Sequence, residues 1–274
     1  MKKLFITGLV LLVVGLGGLL LTGFRNETKT FTEEKIIDTN GINTLDVKVD
    51  VGEINIIESV REDIFVQYEG NVPTARLQFD AERNGNQVEI AAREKRSFVL
   101  IPHINFHKKQ TLTVEIPKTG LGKVSVDGDA ASVNVDAEHA KEFNITTDTG
   151  KITVHKFDGD YMKVRSDVGA VVVKDASGEL DILTDSGKIE ISLKEINKDI
   201  HLESDVGSIH VDMKKVPESF VFDVDSEVGN VKVNGLEGFE KVERSSFRYQ
   251  KGEKGPVLRA RTDVGSITIN AMRN

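Results

Sequence analysis

The chain contains no cysteine and no tryptophan, and only 5 of its 274 residues are proline. The absence of cysteine excludes disulfides, thiol nucleophiles, thiolate metal ligands and a cysteine-linked lipid anchor. Outside the cytoplasm, a protein without cysteine would be stabilised by packing and hydrogen bonds alone, because it can form no disulfide. This favours a domain with a continuous core. The length suits one large domain, or two small ones, with a sizeable core.

An excess of positive charge is also lacking. Lys and Arg total 36 against 44 Asp and Glu, a formal net charge of −8, which argues against non-specific binding of nucleic acid. There is no HExxH helix motif, Walker loop, dinucleotide fingerprint or Gly-x-Ser-x-Gly elbow. His103 and His107 are four apart, but Pro102 places them in a strand-like segment where that spacing makes no helical ligand face. We therefore predict no catalytic residue, no cofactor and no metal site.

One long uncharged run, LFITGLVLLVVGLGGLLLTGF, occupies residues 4–24. As a helix it would span about 30 Å, the thickness of a bilayer core. The run is longer than the core of a cleaved signal peptide and ends in a poor cleavage site, which favours an uncleaved anchor. Lys2 and Lys3 favour a cytoplasmic amino terminus. We predict a single-pass protein of the cell membrane with the bulk of the chain on the extracytoplasmic side, and a juxtamembrane linker over 25–40.

A repeat dominates the rest of the sequence. Its pattern is Asp-x-Gly-x-β-x-β, with Val or Ile at β, and copies lie at 50–56, 129–135, 148–154, 167–173, 185–191, 205–211, 227–233 and 263–269. A second strand with alternating apolar residues precedes each Asp, as in FNITTD and IHLESD. Such a unit cannot bury its apolar face alone, but stacked copies form a continuous core.

These features predict an all-β fold, a parallel β-solenoid of roughly 18–22-residue coils over 121–274. The last copy follows its predecessor at a longer interval, so we expect an insertion or an irregular coil over 236–256.

The Asp-x-Gly step is predicted to form the corner between the two strands of each coil. Glycine would supply a positive φ there, and Asp would accept hydrogen bonds from backbone amides two residues on. A Ser or Thr precedes the acidic residue on the inward parity in six copies, at positions 147, 166, 184, 204, 226 and 262. A calcium-binding role for the Asp column is the alternative, but one Gly and one Asp per copy differ from the glycine-rich nonapeptides of calcium-binding rolls. The predicted corner residues are Gly52, Asp148, Gly150, Asp167, Gly169, Asp185, Gly187, Asp205, Gly207, Gly229, Asp263 and Gly265.

Residues 41–120 contain alternating strands but mostly not the repeat, and Asn84-Gly85 predicts a hairpin turn. We expect this region to cap the exposed strand edge of the solenoid.

Within it, residues 93–109 form the one locally basic and aromatic stretch. This stretch is either a contact for anionic lipid or polymer or a solvated hairpin with a buried FVLI segment. The candidate contact residues are Arg93, Lys95, Arg96, Phe98, His103, Phe106, His107, Lys108 and Lys109.

The apolar run, the lack of cysteine and the copies of S/T-D-V-G-x-I-x-V together resemble the bacterial "putative adhesin" or toast-rack β-solenoid family, in particular LiaG-like cell-envelope proteins of Gram-positive bacteria. The likeness extends from Met1 to the copy at 263–269. It implies a parallel β-solenoid exposed outside the membrane, in a setting near envelope-stress signalling. It brings no established catalytic residues to carry over.

Three functions compete on this reading. The first is a non-enzymatic, adhesin-like scaffold of the envelope that binds a protein or an anionic polymer. The second is an accessory subunit of a stress-sensing system, acting through residues 4–24. The third is a polysaccharide-acting enzyme, which would need a carboxylate cluster on neighbouring coils; Glu203, Asp223 and Asp225 are its candidates. Alternating charge between coils favours a solvated face over such a cluster, and the first function is the one we predict.

Overall fold

A computed structural model describes residues 30–71, 77–94, 110–236 and 239–271, and this part of the chain contains strands and no helix. The strands are β1 (Thr30–Ile37), β2 (Thr44–Ser59), β3 (Ile64–Asn71), β4 (Leu77–Asn84), β5 (Gln87–Glu94), β6 (Gln110–Pro117), β7 (Lys123–Asp136), β8 (Glu142–Thr149), β9 (Ile152–Val154), β10 (Phe157–Val168), β11 (Val171–Ser186), β12 (Ile189–Glu195), β13 (Ile200–Val206), β14 (Ile209–Lys215), β15 (Phe220–Val228), β16 (Val231–Leu236), β17 (Phe239–Arg244), β18 (Ser246–Lys251), β19 (Val257–Val264) and β20 (Ile267–Ala271).

The strands form two ladders joined at the corners of the coils. The first ladder runs β4–β5–β2–β7–β8–β10–β11–β13–β19–β15–β18. The second runs β1–β3–β6–β2–β7–β9–β11–β12–β14–β20–β16–β17. Pairing is parallel throughout the middle and antiparallel at the ends. The predicted all-β solenoid is confirmed, and the predicted membrane helix lies outside the described residues.

The last copy of the repeat does not lie at the end of the stack. Strands β19 and β20 lie between the coil of β13 and β14 and the coil of β15 and β16. The interval expected to hold an insertion or an irregular coil holds an insertion, β17 and β18, which pair antiparallel with β16 and β15. Strands β17 and β18 cover the edges of the outermost coil, which is made of β15 and β16. The chain then turns back, and β19 and β20 form the coil between that outermost coil and the coil of β13 and β14.

The amino-terminal end is built in a similar way. Strand β2 lies inside, between β7 and a terminal coil made of β5 and β6. Strand β4 covers β5, joined by a hairpin in which Asn84 pairs with Gln87. The central turn residues are therefore Gly85 and Asn86, one position later than predicted, with Gly85 at a φ of 66°, which suits a glycine-first hairpin turn.

Strand β1 corrects the predicted linker over 25–40. Residues 30–37 pair antiparallel with β3 along their whole length. Their alternation places Phe31, Lys35 and Ile37 on the half-buried side, where Phe31 lies 6.3 Å from the ring of Tyr68. Strand β1 thus covers the edge that β3 would otherwise expose.

The core lies between the ladders and follows the period-two pattern of the strands. In β12, for example, Ile189, Ile191 and Leu193 are buried and the residues between them are not. Each such side chain stabilises the fold by about 1.5–3 kcal/mol. Val and Ile fill the middle of the stack. Aromatic rings pack at both ends, where Tyr68 stacks on Phe79 at 5.3 Å and Phe220 packs tilted against Phe222 at 4.5 Å; Phe143 and Phe157 form a further pair in the middle.

Candidate interaction surface

The corner glycines form a column of close backbone contacts. A Cβ atom on Gly187 would lie 1.8 Å from the carbonyl oxygen of Gly169, and one on Gly207 would lie 1.8 Å from that of Gly187. The Gly187 amide in turn donates to the Val206 carbonyl of the next coil at 3.0 Å. The predicted positive φ is confirmed at five corners, Gly52, Gly150, Gly169, Gly229 and Gly265, with φ between 137° and 158°. Gly187 and Gly207 lie outside the left-handed range, so that reason for glycine is wrong at these two corners. The close approach of neighbouring coils excludes any side chain.

The predicted column of inward hydroxyl groups is confirmed. Thr147, Ser166, Thr184, Ser204, Ser226 and Thr262 are all buried. Ser204 Oγ donates to the carbonyl of Gly187 at 3.0 Å, and Thr262 Oγ1 donates to that of Gly207 at 2.9 Å. These bonds give the stacked glycine carbonyls a partner inside the core.

The corner aspartates do not brace the corner as predicted. Asp148, Asp167, Asp185, Asp205 and Asp263 are exposed, and their side chains make no hydrogen bond or ion pair with any described residue. The reason is that the amide two residues on is already used. The residue two positions after each of these Asp residues is a glycine, and its backbone N–H donates to a carbonyl of the neighbouring coil. Gly169 N–H, for example, donates to the Ser186 carbonyl at 3.0 Å.

The residue between Asp and Gly forms an exposed apolar row that the sequence analysis missed. Seven large hydrophobic residues are exposed in the described ranges, and five of them occupy this corner position. Val206 pairs with Val264, and Val264 pairs with Val228, so three of these valines lie in neighbouring strands. They are 54%, 48% and 65% exposed, in the order 206, 264, 228.

The exposed carboxylates of Asp205, Asp263 and Glu227 precede these valines directly. We call these three valines and three acidic residues the valine–acid edge. Its signal in the sequence is the Val of the copies DVGSIHV, DVGSITI and EVGNVKV. The alternation of buried and exposed positions applies within a strand and does not predict the direction of a side chain at a corner. The exposure of the three valines could therefore not be predicted.

The outer face of the first ladder carries ion pairs between coils. Lys163 Nζ lies 3.2 Å from Asp181 Oδ2, and His201 Nδ1 lies 3.0 Å from Asp181 Oδ1. Burial raises the pKa of Asp181, but hydrogen bonds from His201 and Lys163 outweigh it and hold that pKa below its ordinary value. Both oxygen atoms of the Asp181 carboxylate therefore have a partner on a neighbouring coil.

The carboxylate cluster considered for an enzyme is not formed. Glu203 and Asp225 lie on strands β13 and β15, and Arg261 of β19 pairs with both. Arg259 Nε lies 3.4 Å from Asp223 Oδ2. Because β19 lies between β13 and β15, Arg261 separates Glu203 from Asp225. A stack in chain order would have placed these two acidic residues side by side. No group of three His, Asp or Glu residues in the described ranges is placed to hold a metal ion.

The predicted contact segment lies mostly outside the described residues. Arg93 is exposed near the end of β5, whereas Lys95, Arg96, Phe98, His103, Phe106, His107, Lys108 and Lys109 belong to the undescribed range 95–109. The ends of that range are placed, since it joins β5 to β6 where other coils have their corner. Gln110 O would lie 2.6 Å from a Cβ on Gly52, the corner glycine of the adjacent coil.

The start of β1 lies at the same end of the terminal coil. Thr30 pairs with Asn71, and Gly70 of the same strand pairs with Gln110. The chain therefore enters the fold two strands from the point where 95–109 rejoins it. Within the part of the chain that the structure describes, no helix has the length and apolarity to cross a bilayer, and residues 4–24 lie outside that part.

Comparison with known proteins identifies the fold family. The family model described as Toastrack DUF4097 matches residues 42–171 and again 121–270. Solved structures to which the chain is similar include a "putative cell adhesion protein" from Clostridium sporogenes, with 17% identity, a TM-score of 0.45 and coverage of 89% of this chain and 100% of that chain. Another is a "putative adhesin" from Bacteroides fragilis, with 15% identity, a TM-score of 0.46 and coverage of 90% and 98%. No curated protein matches the chain.

Proposed function

The chain belongs to the Toastrack DUF4097 family, and from that premise we propose that it is a non-enzymatic interaction module of the bacterial cell envelope. The valine–acid edge is the observation that carries the proposal. The outer face of the first ladder carries contacts between coils such as Lys163–Asp181 and Arg259–Asp223, whereas this edge exposes three adjacent valines beside three carboxylates without a partner among the described residues. An exposed apolar row rimmed by charge is typical of an interaction site.

Membrane attachment through residues 4–24 forms part of the proposal. Residues 25–29 separate that run from β1, and five extended residues reach at most about 18 Å. The amino-terminal end of the stack would then be held near the membrane on the extracytoplasmic side. The basic segment 95–109, which joins β5 to β6 at the same end of the stack, would then be available for an acidic partner in the envelope.

Photocrosslinking in cells tests the interaction module. The full chain carries a benzophenone amino acid in place of Val206, or, as a control, in place of Thr268 on the outer face of β20. We expect discrete adducts from position 206 that disappear when Val264 and Val228 are changed to threonine. Equal, diffuse adducts from both positions would contradict the proposal.

Replacement of residues 1–24 by a cleavable signal tests the membrane part. We expect the full chain to resist carbonate extraction and the replaced chain to be released outside the cell. A full chain that carbonate extracts would contradict the anchor. The same pair of chains addresses the stress-sensing alternative, since a subunit that acts through 4–24 cannot signal once released.

A further inference from the structure

The valine–acid edge suits a partner of defined chemistry. Its apolar row and its acidic row run side by side over three adjacent strands. The residues after the three glycines are Ser208, Ser266 and Asn230, so no basic side chain follows the corner here. One coil earlier the equivalent residue is Lys188, which is paired with Glu190. The partner must therefore bring apolar groups and positive charge together, without acidic residues.

One segment of the chain itself has this composition. Residues 95–109, KRSFVLIPHINFHKK, contain Lys95, Arg96, Lys108 and Lys109, a run of four apolar residues, and no Asp or Glu. Elsewhere the sequence is acidic overall. Charge complementarity thus matches this segment to the valine–acid edge.

The segment cannot cover the three valines of that edge within its own molecule, since even the nearest, Val206 on β13, lies six strand steps or roughly 29 Å from β5. Both of its ends are fixed at the terminal coil of β5 and β6, and seven strand steps separate β5 from β19. At about 4.8 Å per step Val264 lies roughly 34 Å away. A chain of this length that must return to its origin extends at most about 28 Å.

A second molecule placed end to end brings the edge within reach. If β4 of one copy faced β18 of the next, the path from β5 to the neighbour's β19 would cross β4, β18 and β15. These four steps amount to roughly 19 Å. Both β4 and β18 pair on one side only, so neither is blocked by a further described strand.

We propose that residues 95–109 of one molecule dock on the valine–acid edge of the next, in a head-to-tail row. This deepens the proposed function and rests on it, because it identifies the partner of the same edge as a second copy of the chain. The contact joins two different surfaces, so it does not close on itself and can continue along a row. A row parallel to the membrane leaves each molecule attached through its own amino terminus.

The absence of cysteine allows a clean test, since every introduced thiol is unique. Full-length chains that carry Val264→Cys are mixed with full-length chains that carry His103→Cys, near the middle of the segment, in detergent and under a mild oxidant. We expect a mixed disulfide dimer at a yield about ten-fold above that of the matched control pair, Val51→Cys with His103→Cys. Val51 occupies the same corner position at the other end of the stack and is similarly exposed.

Two further changes bear on the mechanism of association. Val206→Thr with Val228→Thr in the Val264→Cys chain should weaken self-association about ten-fold, a change of about 1.4 kcal/mol. Raised salt should weaken it as well, because the charges are exposed. Sedimentation of the cysteine-free chain measures the same association without a crosslink.

A monomeric chain without mixed disulfide would overturn the inference, as would association that the valine variants leave unchanged. Preferential Val264→Cys homodimers would also overturn it, because they indicate a symmetric contact. A different envelope molecule captured at position 206, without self-adducts, would overturn this inference and leave the proposed function standing. Loss of all specific adducts would count against both.

Discussion

At the scale of single residues, the corner glycines determine how closely the coils can stack. The backbone contact at each corner leaves no volume for a methyl group, and this constraint recurs from coil to coil. Seen in the sequence, glycine in a turn suggested a left-handed φ, because that is its commonest role. Only the register of neighbouring coils reveals that a carbonyl oxygen occupies the position of the missing Cβ.

Substitution at Gly187 separates these two roles of glycine. Gly187→Ala should lower the free energy of unfolding by roughly 3 kcal/mol, because the new Cβ would lie 1.8 Å from the Gly169 oxygen and the coils must separate. Gly85→Ala is the matched control: it has a φ of +66° and open space around it, so it should cost about 1 kcal/mol from backbone conformation alone. Urea denaturation measures both. A loss at Gly187 no larger than that at Gly85 would contradict the close contact as the reason for glycine at this corner.

The ion pairs of Asp181 predict a dependence of stability on acid pH. Its pKa in the folded protein lies below the ordinary value of 3.8, despite burial, because of His201 and Lys163. A depressed folded pKa stabilises the fold at pH values above the unfolded pKa, and this stabilisation is lost as pH falls through the folded pKa. Asp181→Asn should therefore be less stable than the parent at pH 6, and the difference should shrink below about pH 4. Urea denaturation across this range checks it, and a constant difference would exclude the linkage.

At the scale of elements, the strands could be predicted from the sequence, but the order in which the coils stack could not. Alternating Val and Ile residues predict each strand, since burial on one face requires that period. Every copy presents the same pattern, so the repeat itself does not decide which coils are adjacent. The outward charges carry that information: arginines of β19 lie between acidic residues of β13 and β15. A chain-order stack would have placed Glu203 beside Asp225.

Arg261→Glu tests whether these charges support the interchanged order. Three like charges would then lie in adjacent strands at positions 203, 261 and 225, and stability should fall by about 1 kcal/mol. Glu203→Arg together with Asp225→Arg in the same chain restores the alternation and should recover most of the loss. Thermal denaturation of the parent, Arg261→Glu and the triple variant gives the comparison. A triple variant no more stable than Arg261→Glu alone would indicate that packing, not charge, sets the order.

The strands of the amino-terminal cap were harder to predict than those of the repeat, because they form only when paired with other strands. The residues TFTEEKII of β1 carry two Glu and a Lys, and only pairing with β3 turns their weak alternation into a strand. The valine–acid edge was missed for a related reason, since a corner lies between two strand periods. The candidate contact segment is a prediction that the described residues place only by its ends.

At the scale of the whole molecule, the stacked corners produce a column of like charges. Asp148, Asp167, Asp185, Asp205 and Asp263 follow one another from coil to coil, roughly 4.8 Å apart, and none has a partner among the described residues. Their repulsion opposes the stack, and salt screens it, since the Debye length falls from about 10 Å at 0.1 M to about 3 Å at 1 M. The melting temperature should therefore rise with sodium chloride.

Three substitutions isolate this column from general salt effects. Asp167→Asn, Asp185→Asn and Asp205→Asn together remove the central charges and leave the corner backbone unchanged, because these side chains form no hydrogen bond with it. The variant should melt at a higher temperature than the parent at low salt, by a few degrees for a gain of about 1 kcal/mol, and should respond less to added salt. Asp80→Asn, Glu82→Gln and Glu89→Gln, on the outer face of β4 and β5, change the net charge equally and serve as the control. An identical salt response in both variants would show that net charge, not the stacked column, limits the stability of the coils.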